Sequence, residues 1–219
     1  MSVLLFALLL IPIILVFYLV YQRYTTQRQK RIVNQHLDHI RQHQILLKPE
    51  VSHHTYSGRF AGRLLRFSFD KEITIQAQVT ADLEADKIWI YPLKYRFTDD
   101  KLKALLEKNR AWTGNAEFDQ HFYLAGRPRH LANAVIYPAK RVQSQLLNYS
   151  NSIVIVNETG VNIRPNLKNA SNMTADDWRS LMGLASDIAQ YVEAQYEDSM
   201  YSGITVDESA SPKHASGHT

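Results

Sequence analysis

The sequence contains no cysteine among its 219 residues. This absence excludes disulfide bonds, thiolate metal sites, CxxC redox chemistry and a cysteine nucleophile. Several mechanism-bearing motifs are also missing: the phosphate-binding GxxxxGK[ST] loop, GxGxxG, GxSxG, HExxH and the EF-hand calcium loop. The common classes of nucleotide-binding protein, hydrolase, zinc protease and calcium sensor are therefore disfavoured, and no cofactor is predicted.

Charged side chains are absent from residues 3–21, VLLFALLLIPIILVFYLVY, of which fifteen are Leu, Ile, Val or Phe. As an α-helix this run would extend about 30 Å, which matches the hydrocarbon core of a bilayer. Each of the fifteen favours insertion by about 0.3–0.6 kcal/mol, and their sum outweighs the cost of Pro12. No basic residue precedes the run and no small-x-small cleavage site follows it. A transmembrane anchor over residues 1–22 is therefore favoured over a cleaved signal peptide.

Positive charge is concentrated directly after this anchor. Six of the 25 basic residues lie in residues 23–48 beside a single acid, which leaves 19 bases and 20 acids for the rest of the chain. The positive-inside rule therefore places the C-terminal part in the cytoplasm and the N-terminus outside. The sequence predicts a single-pass protein of the cell membrane, with the lipid bilayer as one partner. The flanking charges that set this topology are Arg23, Arg28, Lys30 and Arg31.

Residues 23–48 are predicted to form a basic helical stalk. Glycine is absent from the segment, and Val33, Leu37 and Ile40 recur at helical spacing. The apolar stripe is thin, and sustained coiled coils need three or four heptads. A helix that lies on its own domain is therefore favoured over a helix that pairs with a second copy.

Three histidines of the stalk, His36, His39 and His43, are spaced by three and four residues. On a helix this spacing brings them to one face, and His39 with His43 has the spacing of a two-histidine metal clamp. Asp38 lies off that face, and a third strong ligand is missing. A solvated polar face is favoured, with a metal site as the alternative.

From Tyr56 onward the pattern changes to alternation and predicts a globular domain over residues 55–196, followed by a disordered tail over residues 197–219. Strands, short helices and one long helix alternate, which predicts an α+β fold with a mainly antiparallel sheet backed by helices. A capping box at Thr174 and Asp177 marks the start of the long helix. The predicted elements are a hairpin of 63–69 and 73–79, a strand at 87–91, a short helix at 99–109, a helix at 128–147 interrupted by Pro138, a hairpin of 152–156 and 160–165, and a helix at 175–195.

The segment TGNAEFDQHFYLAG, residues 113–126, is the part of the sequence that most resembles a site. Asp119 and His121 would lie about 7 Å apart on one face of a strand, close enough to share a metal or for the carboxylate to orient the imidazole as a general base. Neither a nucleophile nor a third ligand is identifiable beside them, so a solvated strand face is favoured. The strand is predicted from alternation: Phe118, Phe122 and Leu124 would lie on one face, and Glu117, Asp119, His121 and Tyr123 on the other.

Residues 87–97, KIWIYPLKYRF, interleave aromatic and basic side chains, as a platform for single-stranded nucleic acid would. An amphipathic strand has the same pattern, and the near-neutral body lacks the electrostatic footprint of a nucleic-acid-binding protein. Nucleic acid is therefore not expected as a partner.

Two short motifs carry a family resemblance. The first is Gly58, Gly62 and Arg63, and the second is Thr113, Gly114, Asn115, Phe118, Asp119 and Phe122. Through these motifs the sequence resembles an uncharacterised group of bacterial membrane-anchored proteins with a domain of unknown function, over roughly residues 55–195. The resemblance implies no catalytic residue, since none is established for that group, and it implies that the Phe-Asp segment is a structural signature.

An anchor, a stalk and a compact body without a reactive constellation predict a membrane-anchored protein-interaction module or accessory subunit rather than an enzyme. Unidentified protein partners follow from that prediction. The alternative is a membrane-tethered enzyme or metal-binding domain that uses Asp119 with His121, or the histidines His36, His39 and His43.

Overall fold

The computed structural model describes residues 2–204 apart from 53, 71, 82, 84, 85 and 166–172, with side chains described from residue 14 to residue 197. An antiparallel sheet is its central feature. The strands are β1 (Lys48–Pro49), β2 (Thr55–Phe60), β3 (Arg63–Phe69), β4 (Ile73–Ala77), β5 (Lys87–Pro92), β6 (Arg110–Ala111), β7 (Phe122–Arg127), β8 (Ile153–Asn157) and β9 (Gly160–Arg164). Across the described residues, these nine strands have the spatial order β1-β2-β3-β4-β9-β8-β5-β7-β6.

Helices complete an α+β architecture, as predicted. Helices α4 and α5 are separated at Pro138, and α6 begins after the predicted capping box, in which Thr174 Oγ1 and Asp177 Oδ2 each accept a backbone N–H of the other residue. The helices are α1 (Ser2–Arg41), α2 (Asp100–Lys108), α3 (Ala116–His121), α4 (Arg129–Ile136), α5 (Lys140–Asn148) and α6 (Ala175–Ile204).

One face of the sheet carries the main core. Alternate residues of a strand point to the same face, so Leu65, Phe67 and Phe69 of β3 are all buried there. Trp178 of α6 is fully buried against this face, with its ring centroid 6.1 Å from that of Phe67 and 5.9 Å from that of Phe69. Residues from α1, α4, α5 and α6 belong to the same core cluster, so these helices cover this face.

The opposite face is covered only in part. Trp89 and Tyr91 of β5 form a smaller buried cluster there with Leu106 of α2 and Ala125 of β7. Toward β3 this face becomes polar, and Arg66 is exposed. The second cluster therefore sits beside a solvated half-sheet.

Two glycines allow close backbone approaches. At Gly58 a Cβ would lie 2.5 Å from Cγ2 of Ile45, in the chain that follows α1. Gly160 starts β9 with φ of +116°, and a Cβ there would collide with the carbonyl oxygen of Ala77. The close packing of Ile45 on β2 and of β9 on β4 therefore requires glycine at positions 58 and 160.

Helix α1 has two environments. Val33, Leu37 and Ile40 are buried in the main core, so this part of the predicted stalk lies on its own domain. Residues 14–24 are exposed along the same helix. The helix ends at Arg41, whereas the predicted helical stalk extended through residue 48. The chain after Arg41 turns so that Ile45 packs over Gly58.

The apolar run of the predicted membrane anchor covers residues 3–21. Side chains are described from residue 14 onward, so those of residues 3–13 lie outside the described part of the structure. Among the residues that were searched, which are the described ones, no helix combines the length and the apolar character needed to cross a bilayer.

The strand predicted over residues 117–124 is wrong in its first part. Residues Ala116–His121 form helix α3, and the strand begins at Phe122. The side chain of Asn115 accepts hydrogen bonds from the backbone N–H groups of Glu117 and Phe118, which starts a helix. Phe118 and Phe122 are four residues apart, a spacing that suits a helical turn as well as a strand, and their rings stack at 5.0 Å.

The predicted disordered tail is also corrected at its start. Helix α6 continues from residue 197 to Ile204. Residues 205–219 lie outside the described part of the chain.

A half-buried ion pair ties β3 to α6. Arg63 Nη1 and Nη2 donate to the two carboxylate oxygens of Glu193 at 2.8 and 2.6 Å, and Thr80 donates to the same carboxylate through its backbone N–H and its hydroxyl. The hydrogen bonds from Arg63 outweigh burial and hold the pKa of Glu193 at about 2, against an ordinary value of 4.5. This pair joins the β2–β3 hairpin to the last helix.

We expect the Glu193 carboxylate to make folding stability depend on pH. Because its pKa is lowered on folding, its contribution is complete above about pH 4.5 and is lost as the pH falls toward 2. Glu193→Gln should cost about 1–2 kcal/mol at pH 7, after allowance for solvent screening, and should flatten the pH dependence in that window. Urea unfolding of the variant from pH 2 to 7 measures both effects. Glu197→Gln, on an exposed residue one turn later, is the control; an equal loss in both variants would contradict the assignment.

Candidate functional site

Asp119, the carboxylate of the predicted pair, is used to hold a turn. Its Oδ1 accepts hydrogen bonds from the backbone N–H of Thr113 at 3.1 Å and from the Thr113 hydroxyl at 3.0 Å, and its Oδ2 accepts from the N–H of Gly114 at 3.1 Å. Thr113 is fully buried, so these bonds satisfy groups that water cannot reach. Asp119 therefore fixes the Thr-Gly-Asn turn that leads into α3.

His121 does not meet Asp119. The two residues are two positions apart on helix α3 and so point to different sides of it. His121 is exposed, and its Nδ1 donates to the carbonyl oxygen of Glu117 at 2.8 Å. The structure therefore does not bring Asp119 and His121 together as a general base pair or as metal ligands.

The three stalk histidines also have separate surroundings. His36 is buried between α1 and the core: its ring stacks on Phe69 at 5.9 Å, and the indole N–H of Trp178 donates to its Nδ1 at 3.3 Å. Burial, with a smaller effect of His39, holds the pKa of His36 below its ordinary value. His43 lies beyond the end of α1, where its Nε2 donates to the carbonyl oxygen of Ala175 at 2.6 Å.

No group of three or more His, Asp or Glu side chains able to hold a metal ion is found among the residues that the structure describes. His36 faces the core, His43 hydrogen-bonds to α6, and His39 is half-buried on α1. The two-histidine clamp of His39 and His43 stays a prediction. The four stalk cations that are predicted to set the topology are exposed on α1: Arg23, Arg28, Lys30 and Arg31.

A cavity of about 350 Å³ lies beside the β2–β3 hairpin. Its charged lining includes Arg63 and Glu193, which already bind each other, and Arg59, whose guanidinium donates to the carbonyl oxygen of Gly62. These groups hold the fold together, and none of the residues predicted as a site lines the cavity.

The strongest candidate site is a cluster at the β6–β7 edge of the sheet, with four exposed side chains and the half-buried Arg110. We call it the aromatic surface: Leu93, Tyr95, Arg110, Trp112 and Tyr137. Its centre is Arg110, whose guanidinium carbon lies 4.0 Å from the ring centroid of Trp112 and 4.7 Å from that of Tyr123. Contacts of this length are cation–π interactions. They hold the guanidinium in place although Trp112 is 51% exposed.

The strand register extends the cluster across the sheet. Tyr123 of β7 is the cross-strand partner of Tyr91 of β5, and the ring of Tyr91 packs against Tyr95 at 5.1 Å. Tyr95 and Leu93 are each 42% exposed, and the backbone N–H of Leu93 donates to the carbonyl oxygen of His121 at 2.9 Å. The aromatic surface thus continues from the edge strand to the loop after β5.

Tyr137 extends the surface in the other direction. Its ring lies 3.6 Å from the position that a Cβ on Gly114 would take, two residues beyond Trp112. Lys140 places its ammonium 4.9 Å from the Tyr137 ring centroid, and Tyr137 is 56% exposed. Exposed Trp, Tyr and Arg side chains in one area have the composition of the energetic centre of a protein–protein interface.

The sequence reasoning missed Arg110, Trp112 and Tyr137. Arg110 and Trp112 are two residues apart just before the Thr-Gly-Asn turn, and that spacing places two side chains on one face of a strand. This signal was present in the sequence. In the basic-aromatic segment 87–97, Trp89 and Tyr91 are buried, and Leu93 and Tyr95 belong to the aromatic surface.

Comparison with known proteins identifies no family for the chain. No family model matches it, and no curated protein matches it. Among solved structures, it is similar to the mycobacterial trehalose monomycolate transport factor A, TtfA, with a TM-score of 0.46 and 6% sequence identity over 74% of this chain and 94% of that chain. A similarity at this level carries no functional argument, and the resemblance to the uncharacterised bacterial group stays a prediction.

We expect Asp119→Ala to act on stability. Removal of its carboxylate leaves the buried Thr113 hydroxyl and two backbone N–H groups without their acceptor, at a cost of about 2–3 kcal/mol. Chemical unfolding measures this loss. Glu117→Ala, on an exposed side chain of the same helix, should change stability by less than about 0.5 kcal/mol. Equal stability of the two variants would contradict the turn-holding role.

We expect Trp112 to be the tryptophan that collisional quenchers reach. Trp89 and Trp178 are 7% and 0% exposed, whereas Trp112 is 51% exposed. Acrylamide should therefore quench mainly the emission of Trp112. The quenchable part of the tryptophan fluorescence should be lost in Trp112→Phe. Quenching that is unchanged in Trp112→Phe would show that the aromatic surface is covered.

Proposed function

We propose that the protein is a membrane-tethered, cytoplasmic interaction module, anchored by the N-terminal part of α1. The observation that carries the proposal is the exposure of an apolar helix surface: every residue from Ile14 to Tyr21 is 49–70% exposed and uncharged. Surface of this extent is stable when a lipid phase covers it. The uncharged run continues toward the N-terminus in the sequence, which supports a full membrane span.

The geometry of α1 supports a short, stiff tether. The same helix that exposes Tyr21 buries Val33 in the core, and the distance between them along the helix axis is about 18 Å. The part of the helix between Tyr21 and Val33 carries four basic residues: Arg23, Arg28, Lys30 and Arg31. Their position supports the orientation in which the body stays on the cytoplasmic side.

The aromatic surface supports interaction as the role of the body. Asp119, His36 and His43 are engaged in hydrogen bonds within the fold, whereas Trp112 and Tyr137 are more than half exposed and the half-buried Arg110 contacts Trp112 without a polar partner. We infer that a protein partner binds there and so is recruited to the membrane.

Lipid flotation tests the tether. The full chain should float with liposomes, and the double variant Val16→Asp/Leu19→Asp should remain in the aqueous fraction, since the two charges oppose insertion by about 6–8 kcal/mol. The control Thr26→Asp/Gln29→Asp carries the same charge on exposed positions of the same helix and should float. Flotation of the first double variant would contradict membrane anchoring.

Single-cysteine labelling tests the orientation, because the chain has no cysteine of its own. Ala104→Cys introduces a thiol at an exposed position of α2. A membrane-impermeant maleimide should label it only after the cells are permeabilised. Labelling in intact cells would place the body outside and contradict the cytoplasmic assignment.

A further inference from the structure

Arg110 has no hydrogen-bond or ion-pair partner for its side chain among the described residues, although it is half-buried. Within the described part of the chain, no hydrogen bond or ion pair uses its guanidinium, whereas Arg63, Arg66 and Arg164 each bind a carboxylate. The contacts of Arg110 are with the faces of the Trp112 and Tyr123 rings. Its N–H groups are therefore available while its position is fixed.

A fixed guanidinium with free N–H groups is suited to a planar oxyanion. Guanidinium and carboxylate form two parallel hydrogen bonds, and a pre-positioned arginine loses little side-chain entropy when it binds. The guanidinium carbon lies over the Trp112 and Tyr123 rings, and a contact with a ring face leaves the hydrogen-bonding capacity of the N–H groups unused. The arrangement resembles a binding anchor more than a structural ion pair.

The charge of Arg110 itself favours an acidic ligand, because no carboxylate among the described residues pairs with it. Lys140, whose ammonium lies 4.9 Å from the Tyr137 ring centroid, is exposed and also forms no ion pair among those residues. Burial raises the pKa of Tyr123, the charge of Arg110 lowers it, and the charge of Glu107 raises it. Glu107 is therefore an acid close to this cluster, but it forms no ion pair with Arg110.

We propose that Arg110 binds a carboxylate side chain of an acidic, partly apolar segment of the partner protein, while Leu93, Trp112 and Tyr137 bury the apolar side chains beside it. This proposal rests on the proposed function and specifies the chemistry of its partner. A protein segment fits better than a lipid headgroup, because the exposed apolar rings require apolar ligand surface. The body also begins about 18 Å of helix beyond the apolar segment, more than twice the Debye length of about 8 Å.

A paired peptide library tests the proposal. The probe is an array of ten-residue peptides, each with one Glu or Asp among apolar residues, and each matched by its Gln or Asn counterpart. The full-length chain in lipid nanodiscs is the binding protein, and Trp112 fluorescence is the readout in solution for the strongest peptides. We expect acidic peptides to bind at least about tenfold more tightly than their neutral counterparts.

Variants assign that preference to Arg110. Arg110→Gln should weaken binding of the acidic peptides about tenfold or more and remove the acidic preference, and Arg110→Lys should restore only part of it because an ammonium lacks the planar fork. Arg129→Gln removes an exposed arginine from α4 and should bind as the unchanged chain does. Thermal unfolding of each variant confirms that folding is unaffected.

Three results would overturn the proposal: no acidic peptide binds, acidic and neutral peptides bind equally, or Arg110→Gln binds as tightly as the unchanged chain. If the chain binds anionic phospholipid vesicles instead of peptides, and this binding depends on Arg110, the ligand of Arg110 is a lipid headgroup. That result would also overturn the proposal. These failures are separable from failure of the proposed function. Flotation and cysteine labelling test the tether without involving Arg110, and cross-linking to a partner through another surface would leave the interaction role intact.

Discussion

The packing of Val33, Leu37 and Ile40 into the main core is the contact on which the rest of the account depends. These residues fix one end of a helix whose other described end exposes an uncharged apolar surface. Because the helix is continuous from Ser2 to Arg41, the direction of the apolar end follows from the docking of the other end. Without that contact, the apolar segment and the folded body would be independent parts joined by a flexible chain.

Groups that suggest chemistry in the sequence serve the fold in several places. Asp119 accepts three hydrogen bonds in a turn, and His36 accepts one from Trp178 in the core. Each replaces water around buried or half-buried donors, which is the requirement that buried polar groups impose. Arg110 is different, because aromatic rings rather than acceptors hold it.

Local patterns could be predicted from the sequence, and pairings between distant segments could not. Alternation identified the β3–β4 and β8–β9 hairpins, and Thr174 with Asp177 marked the start of α6. Helix α3 was missed because Phe118 and Phe122 satisfy both periodicities, and the cap at Asn115 decided between them. The sheet order joins β4 to β9 and β5 to β8, pairings that span long stretches of chain. The contact of Arg110 with Tyr123 depends on the register of β6 and β7, so the aromatic surface could not be assembled from composition alone.

Hydrogen exchange of the full chain in lipid nanodiscs tests the central claim most directly, since it reports on every part of α1 in one experiment. The account predicts three zones: slow exchange in residues 33–41, comparable with the buried turns of α6; slow exchange in residues 14–21, where lipid excludes water; and faster exchange in residues 22–32 between them. Exchange in residues 33–41 as fast as in residues 22–32 would contradict docking of the helix on the body. Fast exchange of residues 14–21 in the presence of lipid would contradict the anchor.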